Sequence, residues 1–127
     1  MNAFEMLGYF ESKYPSLFRN NSPRYGFSPE EGWKDILDKL FSELVKSKKD
    51  FVLSQVKEKF GLLRVYIDPI SDDETDLSEE QSIIYEYEVL SSKVCGNCGQ
   101  QREEKVTFNH NGWIKSLCSE CRKKDDK

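Results

Sequence analysis

The sequence predicts an α+β fold: helices flanking a central β-hairpin, with a second, cysteine-bounded hairpin at the C-terminal end. Three observations predict it. Trp33, Ile36, Leu37, Leu40, Phe41, Leu44 and Val45 recur at helical spacing and form one long apolar stripe. The segment from Phe51 to Asp68 reads as two strands that turn at Phe60-Gly61. The chain's 4 cysteines fall in two pairs, Cys95-Gly-Asn-Cys98 and Cys118-Ser-Glu-Cys121, separated by a hairpin-length segment.

Taken in order, residues 2–13 have Phe4, Leu7 and Phe10 at roughly helical spacing, and Tyr14-Pro15 ends that helix, because the residue before proline is pushed out of the helical region. Residues 15–27 are rich in Ser, Asn, Pro and Arg and read as a loop. Ser28-Pro29-Glu30-Glu31 has capping-box spacing with proline at the first helical position, so the striped helix is expected to start there. In the hairpin, a turn at Phe60-Gly61 pairs Lys59 with Leu62, Lys57 with Arg64, Val56 with Val65, and Gln55 with Tyr66. One face then carries Val56, Leu63, Val65 and Ile67 toward a core. The other carries Gln55, Lys57, Arg64 and Tyr66, a basic and aromatic face. An acidic loop from Asp68 to Asp76 follows. A helix then starts near Asp76 or Ser78, with Ile83, Tyr87 and Leu90 as its apolar face, and runs into the cysteine segment at Val94. This divides the chain into an N-terminal helix and loop (1–28), an α-β-β-α core (29–94), the cysteine hairpin (95–122) and a disordered tail (123–127).

The cysteine spacing C-x2-C-x19-C-x2-C points to one tetrahedral Zn²⁺ held by Cys95, Cys98, Cys118 and Cys121, since each CxxC turn brings two thiolates to a shared metal. Disulfides require an oxidising compartment, and Met1 to Phe10 lack the basic start and apolar run of an export signal. A redox CxxC occurs singly, and the common iron–sulfur spacings differ from this one. Between the knuckles, Lys105–Asn109 and Trp113–Leu117 read as strands joined by Asn111-Gly112, a type I′ dipeptide. That turn pairs Phe108 with Lys115, Val106 with Leu117, and His110 with Trp113. Val106, Phe108, Trp113 and Leu117 then share a face expected to pack on the rest of the protein. Gly99 suits a left-handed knuckle position, and Arg122 after Cys121 makes the second knuckle different.

In a chain of 127 residues, 37% hydrophobic and 33% charged, the core is modest, and a bound metal adds its binding free energy to folding. No apolar stretch approaches a membrane span, and a cytoplasmic protein with no membrane role is expected. The net charge of −4 is unevenly spread. Residues 1–94 carry 12 basic and 18 acidic side chains, whereas residues 95–127 carry 7 and 5. From Val65 to Ser92 there are nine acids and no base.

The order of a helix with Gly32-Trp33, then Gln55-Val-Lys-Glu-Lys-Phe-Gly61-x-Leu63-Arg64-x-Tyr66, then a helix leading into Cys95-x-x-Cys98-Gly99 and Gly112-Trp113…Leu117-Cys118, resembles a family of small zinc-ribbon proteins encoded by bacteriophages and bacteria. The resemblance covers residues 29–122. It implies the metal and the α-β-β-α-ribbon order, and it carries over no catalytic residue.

No enzymatic chemistry is expected. His110 is the only histidine and sits beside a tight turn, and four thiolates on one metal leave no open coordination position for a catalytic water. Two binding readings follow. In the first, Asp72, Asp73, Asp76, Glu79 and Glu80 present an acidic surface to a basic protein, such as a nuclease toxin or a host nucleic-acid enzyme. The chain would then be an immunity protein or a phage-encoded antagonist, since complementary charge steers such encounters. The phage and bacterial setting of the resemblance places this reading first. In the second, nucleic acid binds basic residues of the ribbon or the Gln55, Lys57, Arg64 and Tyr66 face. Against that stand the acidic body and the expectation that Phe108 and Trp113 are core residues.

Overall fold

A computed structural model describes residues 1–72 and 74–125, and it is an α+β structure. Helix α1 (Ala3–Lys13) opens with a capping box in which the Asn2 side chain accepts from the Glu5 amide and Glu5 accepts from the Asn2 amide. Met6 and Phe10 are its buried residues and Leu7 packs partly buried against the same core, whereas Phe4 is 83% exposed. Tyr14 caps the helix and a 3₁₀ turn, Pro15–Phe18, follows, burying Leu17 and Phe18.

Ser28 does not cap the next helix. It lies in a short strand, β1 (Phe27–Ser28), which pairs in parallel with β2 (Phe51–Lys59), so its backbone is extended and committed to a sheet. A 3₁₀ turn, Glu31–Trp33, then leads into α2 (Lys34–Leu44). The apolar stripe of α2 is buried from Trp33 to Leu44, and only Val45, past the helix end, is exposed.

Strands β2 and β3 (Leu62–Pro69) pair antiparallel in the expected register, Lys59↔Leu62, Lys57↔Arg64, Val56↔Val65 and Gln55↔Tyr66, with an irregularity between Leu53 and Gln55. Phe60 and Gly61 both take positive φ, and the Glu58 carboxylate accepts from the Gly61 amide at 2.6 Å. The sheet order is β1-β2-β3, leaving β3 at an edge. Helix α3 (Ser78–Ser91) covers that edge. The Leu63 amide donates to the Ser91 hydroxyl at 2.9 Å and the Val65 amide to the Glu88 carboxylate at 3.0 Å, so side chains from the helix satisfy outward strand donors. The start of α3 is shaped by Asp76, which accepts from the Ser78 amide, and the Ser78…Gln81 spacing forms no capping box. Ile84 is the buried apolar residue of α3, with Ile83, Tyr87 and Leu90 partly buried around it.

One apolar core runs from Met6 and Phe10 through α2, the sheet and Ile84 to Val94, so residues 1–28 are part of the same core as residues 29–94. The rings of Phe10, Tyr14 and Phe18 each meet Phe41 edge to face. Asp38 of α2 ties α1 to this core by accepting from the Tyr9 and Tyr14 hydroxyls and pairing with Lys13 at 3.0 Å. The second hairpin, β4 (Thr107–His110) and β5 (Trp113–Ser116), has the expected register, with Asn111 and Gly112 at positive φ. After it comes α4 (Ser119–Asp125). The expected disordered tail from Lys123 is thus helical to Asp125, because the second knuckle itself winds into a helix: the Arg122 amide donates to the Cys118 carbonyl at 2.9 Å. The rest of that tail lies outside the described residues.

Candidate metal centre and binding surfaces

The sulfurs of Cys95, Cys98, Cys118 and Cys121 all lie within 4.8 Å of one another. The Cys98 and Cys118 sulfurs are 3.7 Å apart. A tetrahedron with metal–sulfur bonds of ~2.3 Å, the length zinc makes to thiolate, has edges of about 3.8 Å. The donor set is four soft sulfurs, and the pairing is set by the two knuckles, so the residues present fit a tetrahedral thiophilic metal.

Donors around the sulfurs follow from the knuckle geometry. The amides of Asn97 and Cys98 each point at the Cys95 sulfur at 3.4 Å, and the Asn97 side-chain amide reaches the Cys121 sulfur at 3.4 Å. Burial pushes the Cys95 thiol up, but backbone N–H groups of Cys118, Cys98 and Asn97 outweigh it and hold it down at about 6. Arg102 bears on the Cys118 sulfur and pairs with Glu120 at 2.6 Å, bringing positive charge to a centre that collects thiolates. These supporting residues have no spacing signature, which is why the sequence does not reveal them.

The first knuckle is seated against the 3₁₀ turn before α2. The Gly32 amide donates to the Gly96 carbonyl at 2.8 Å, and a Cβ at Gly32 would stand 2.1 Å from the Cys95 carbonyl oxygen. Gly99, at φ +79°, faces the Gly32 carbonyl in the same contact. The end of α3 joins the ribbon through further backbone bonds: Val106 to Ser92 at 2.7 Å and Arg102 to Lys93 at 2.8 Å. Ser116 is buried there, its hydroxyl donating to the Val94 carbonyl at 3.1 Å.

The ribbon hairpin packs with the face opposite to the expected one. Thr107 and Ile114 meet the turn of the β2–β3 hairpin, where a Cβ on Gly61 would lie 3.0 Å from Ile114 Cγ2 and 3.2 Å from Thr107 Cγ2. Gly61, with no side chain, admits that close approach. Val106 is still buried, but Leu117 and Phe108 are only partly buried and Trp113 is 75% exposed. Arg122 does not open the second knuckle. It closes over the hairpin, donating to the Leu117 and Val106 carbonyls at 2.9 and 3.1 Å with its guanidinium 4.0 Å above the Phe108 ring.

Of the acidic residues, Asp72, Asp76 and Glu79 are exposed, while Asp73 lies outside the described residues. Glu80 does not belong to an accessible surface. It is 3% exposed, accepts from the Ser47 hydroxyl at 2.7 Å and pairs with Lys49 at 2.9 Å, fastening α3 to the segment after α2. On the basic hairpin face, Tyr66 is exposed and Gln55, Lys57 and Arg64 are half-buried. Gln55 donates to the Tyr25 carbonyl and Arg64 lies 3.8 Å from Glu88, so part of this face is engaged within the molecule. Among the described residues no helix is long and apolar enough to cross a membrane. No protein-family model matches the chain, and neither a curated protein nor a solved structure is similar enough to match it.

Proposed function

We propose that the chain is a zinc-binding protein in which the metal is structural, and that it acts by binding a basic protein partner rather than by catalysis. Zinc is supported by the donor set, four sulfurs at tetrahedral spacing, because all four positions are then filled from the chain. The partner-binding part is carried by one observation. Asp72, Glu74, Asp76 and Glu79 are all exposed at the entry to α3, with Asp68 exposed near the end of β3, and Lys49 lies 4.0 Å from Glu79. Such a surface accelerates and orients encounters with a basic protein, the behaviour of an immunity protein or antagonist.

Two measurements test this. Metal analysis of protein purified without added zinc should return one equivalent of zinc per chain; finding none, with the cysteines paired as disulfides, rejects the metal. For the partner, affinity capture from the native host with nuclease treatment should retain a basic protein. Asp72→Lys, Asp76→Lys and Glu79→Lys together should then slow association with it by about tenfold or more at low salt. Association kinetics equal to those of the unaltered protein reject the acidic surface.

A further inference from the structure

The outer face of the ribbon carries Phe108, His110 and Trp113. Register places Phe108 and His110 two residues apart on β4, and His110 opposite Trp113 on β5. The Phe108 and His110 rings meet edge to face with centroids 6.2 Å apart. The Arg122 guanidinium sits 4.0 Å from the centre of the Phe108 ring and is held there by the Leu117 and Val106 carbonyls. At about 3.4 Å of strand per residue, Phe108 to His110 covers about 7 Å, and Trp113 extends this span to the turn. Trp33, the other indole, is wholly buried, so the 75% exposure of Trp113 belongs to this face alone.

The ribbon segment carries a basic surplus, 7 basic against 5 acidic side chains in residues 95–127. Lys105, Lys123 and Lys124 are exposed and make no ion pair with a described carboxylate. An open groove of about 560 Å³ at the knuckle end of the ribbon is lined by Arg102, Glu103, Glu104, Lys105 and Arg122, and it meets the rings through Arg122. The acidic cluster is elsewhere. It sits at the start of α3, while the ribbon begins past the helix end, and 14 residues of helix put roughly 21 Å between them. The Debye length at physiological salt is about 8 Å, so the cluster at the start of α3 is screened from the ribbon; the carboxylates nearer this face are Glu30 and Glu58, which line a cleft with Trp113 and Lys115, and Glu103 and Glu104 of the groove. Trp113, expected in the core, is exposed on this face, and the acidic cluster lies at the opposite end of α3.

We propose that the ribbon's outer face binds single-stranded nucleic acid, its bases stacking on the exposed Trp113 and the neighbouring His110 and its phosphates meeting Lys105, Lys123 and Lys124. A single strand fits this surface because unpaired bases offer their faces to rings, whereas the rings of a duplex are covered by their neighbours. This surface is distinct from the acidic one proposed above, and either can fail without the other.

The test uses the full zinc-loaded chain and fluorescein-labelled oligothymidylate and oligouridylate of about twelve nucleotides. Anisotropy should show binding at about 50 mM salt that falls steeply by 200 mM, and indole emission should be quenched on titration. Trp113→Ala should weaken binding about tenfold or more, and Lys123→Glu with Lys124→Glu should weaken it and flatten the salt dependence. Phe4→Ala, which removes an equally exposed ring from α1, should leave binding unchanged, and a matched duplex should bind more weakly. Because Trp113 is solvent-facing, its variant should keep the parent melting temperature, so a loss of binding is not a loss of fold. No binding at 50 mM salt, binding indifferent to Trp113→Ala, or equal affinity for the duplex overturns the proposal.

Discussion

The indole N–H of Trp33 donates to the carbonyl of Val94 at 3.1 Å, across 61 residues of sequence and inside the core. This bond ties the start of α2 to the last residue before the first knuckle, and the Gly32–Gly96 bond runs beside it. The ribbon is therefore built into the domain, and its metal supports more than the hairpin that carries it.

Removing the metal should lower the melting temperature of the whole chain. Freed knuckles lose the seat at Gly32 and the cover over Val106, so the core end near Val94 loosens with them. Differential scanning calorimetry of protein treated with a strong chelator, or of Cys98→Ser, should show one transition at lower temperature. An unchanged melt with zinc shown to be gone would make the ribbon independent.

Gly32→Ala should be severely destabilising although it adds one methyl group. The new Cβ would stand 2.1 Å from the Cys95 carbonyl oxygen and 2.7 Å from the Gly96 carbonyl carbon, both backbone atoms that cannot swing aside. Thermal melts should fall by several degrees and zinc should be lost to chelator faster. Gly8→Ala is the control, since nothing lies within 4 Å of its Cβ on exposed α1, and it should stabilise by about 0.5–1 kcal/mol.

Ser91→Ala tests the cover on the sheet edge. It leaves the buried Leu63 amide without its acceptor, a loss of about 1–3 kcal/mol. Urea denaturation should show the midpoint shifted with an unchanged slope. Stability equal to that of the parent would mean that water reaches Leu63 in place of the hydroxyl.

Glu80 gives the pH dependence. Burial pushes its carboxyl up, but the Ser47 hydroxyl and the Lys49 ammonium outweigh that and leave it below the ordinary value of 4.5. Folding thus favours the ionised form. Its contribution is present above the unfolded pKa and is lost as pH falls through the lower folded one. Glu80→Gln should cost about 1–3 kcal/mol at neutral pH, toward the low end because Lys49 is a third exposed, and the cost should shrink on acidification below pH 4.5. Denaturant midpoints of the two proteins measured from pH 7 to pH 3 check this; a constant gap would show that the ion pair contributes nothing.

Much of this protein is settled by residues close together in sequence. Both hairpin registers follow from their turns, because Phe60-Gly61 and Asn111-Gly112 take positive φ and each turn then dictates the cross-strand pairs beside it. The α2 stripe and the cysteine cluster follow from spacing in the same way. What only the tertiary structure decided are choices between locally equivalent alternatives. Both faces of the ribbon hairpin carry apolar residues, and the bare Gly61 turn selected Thr107 and Ile114, sending Trp113 to solvent. Ser28 had the chemistry of a helix cap, yet β2 drew it into a sheet from 29 positions away. Glu80 resembles Glu79 in sequence, but Lys49 and Ser47 meet only one of them closely enough to bury it. In each case local energetics left the options nearly balanced, and a partner distant in sequence tipped them.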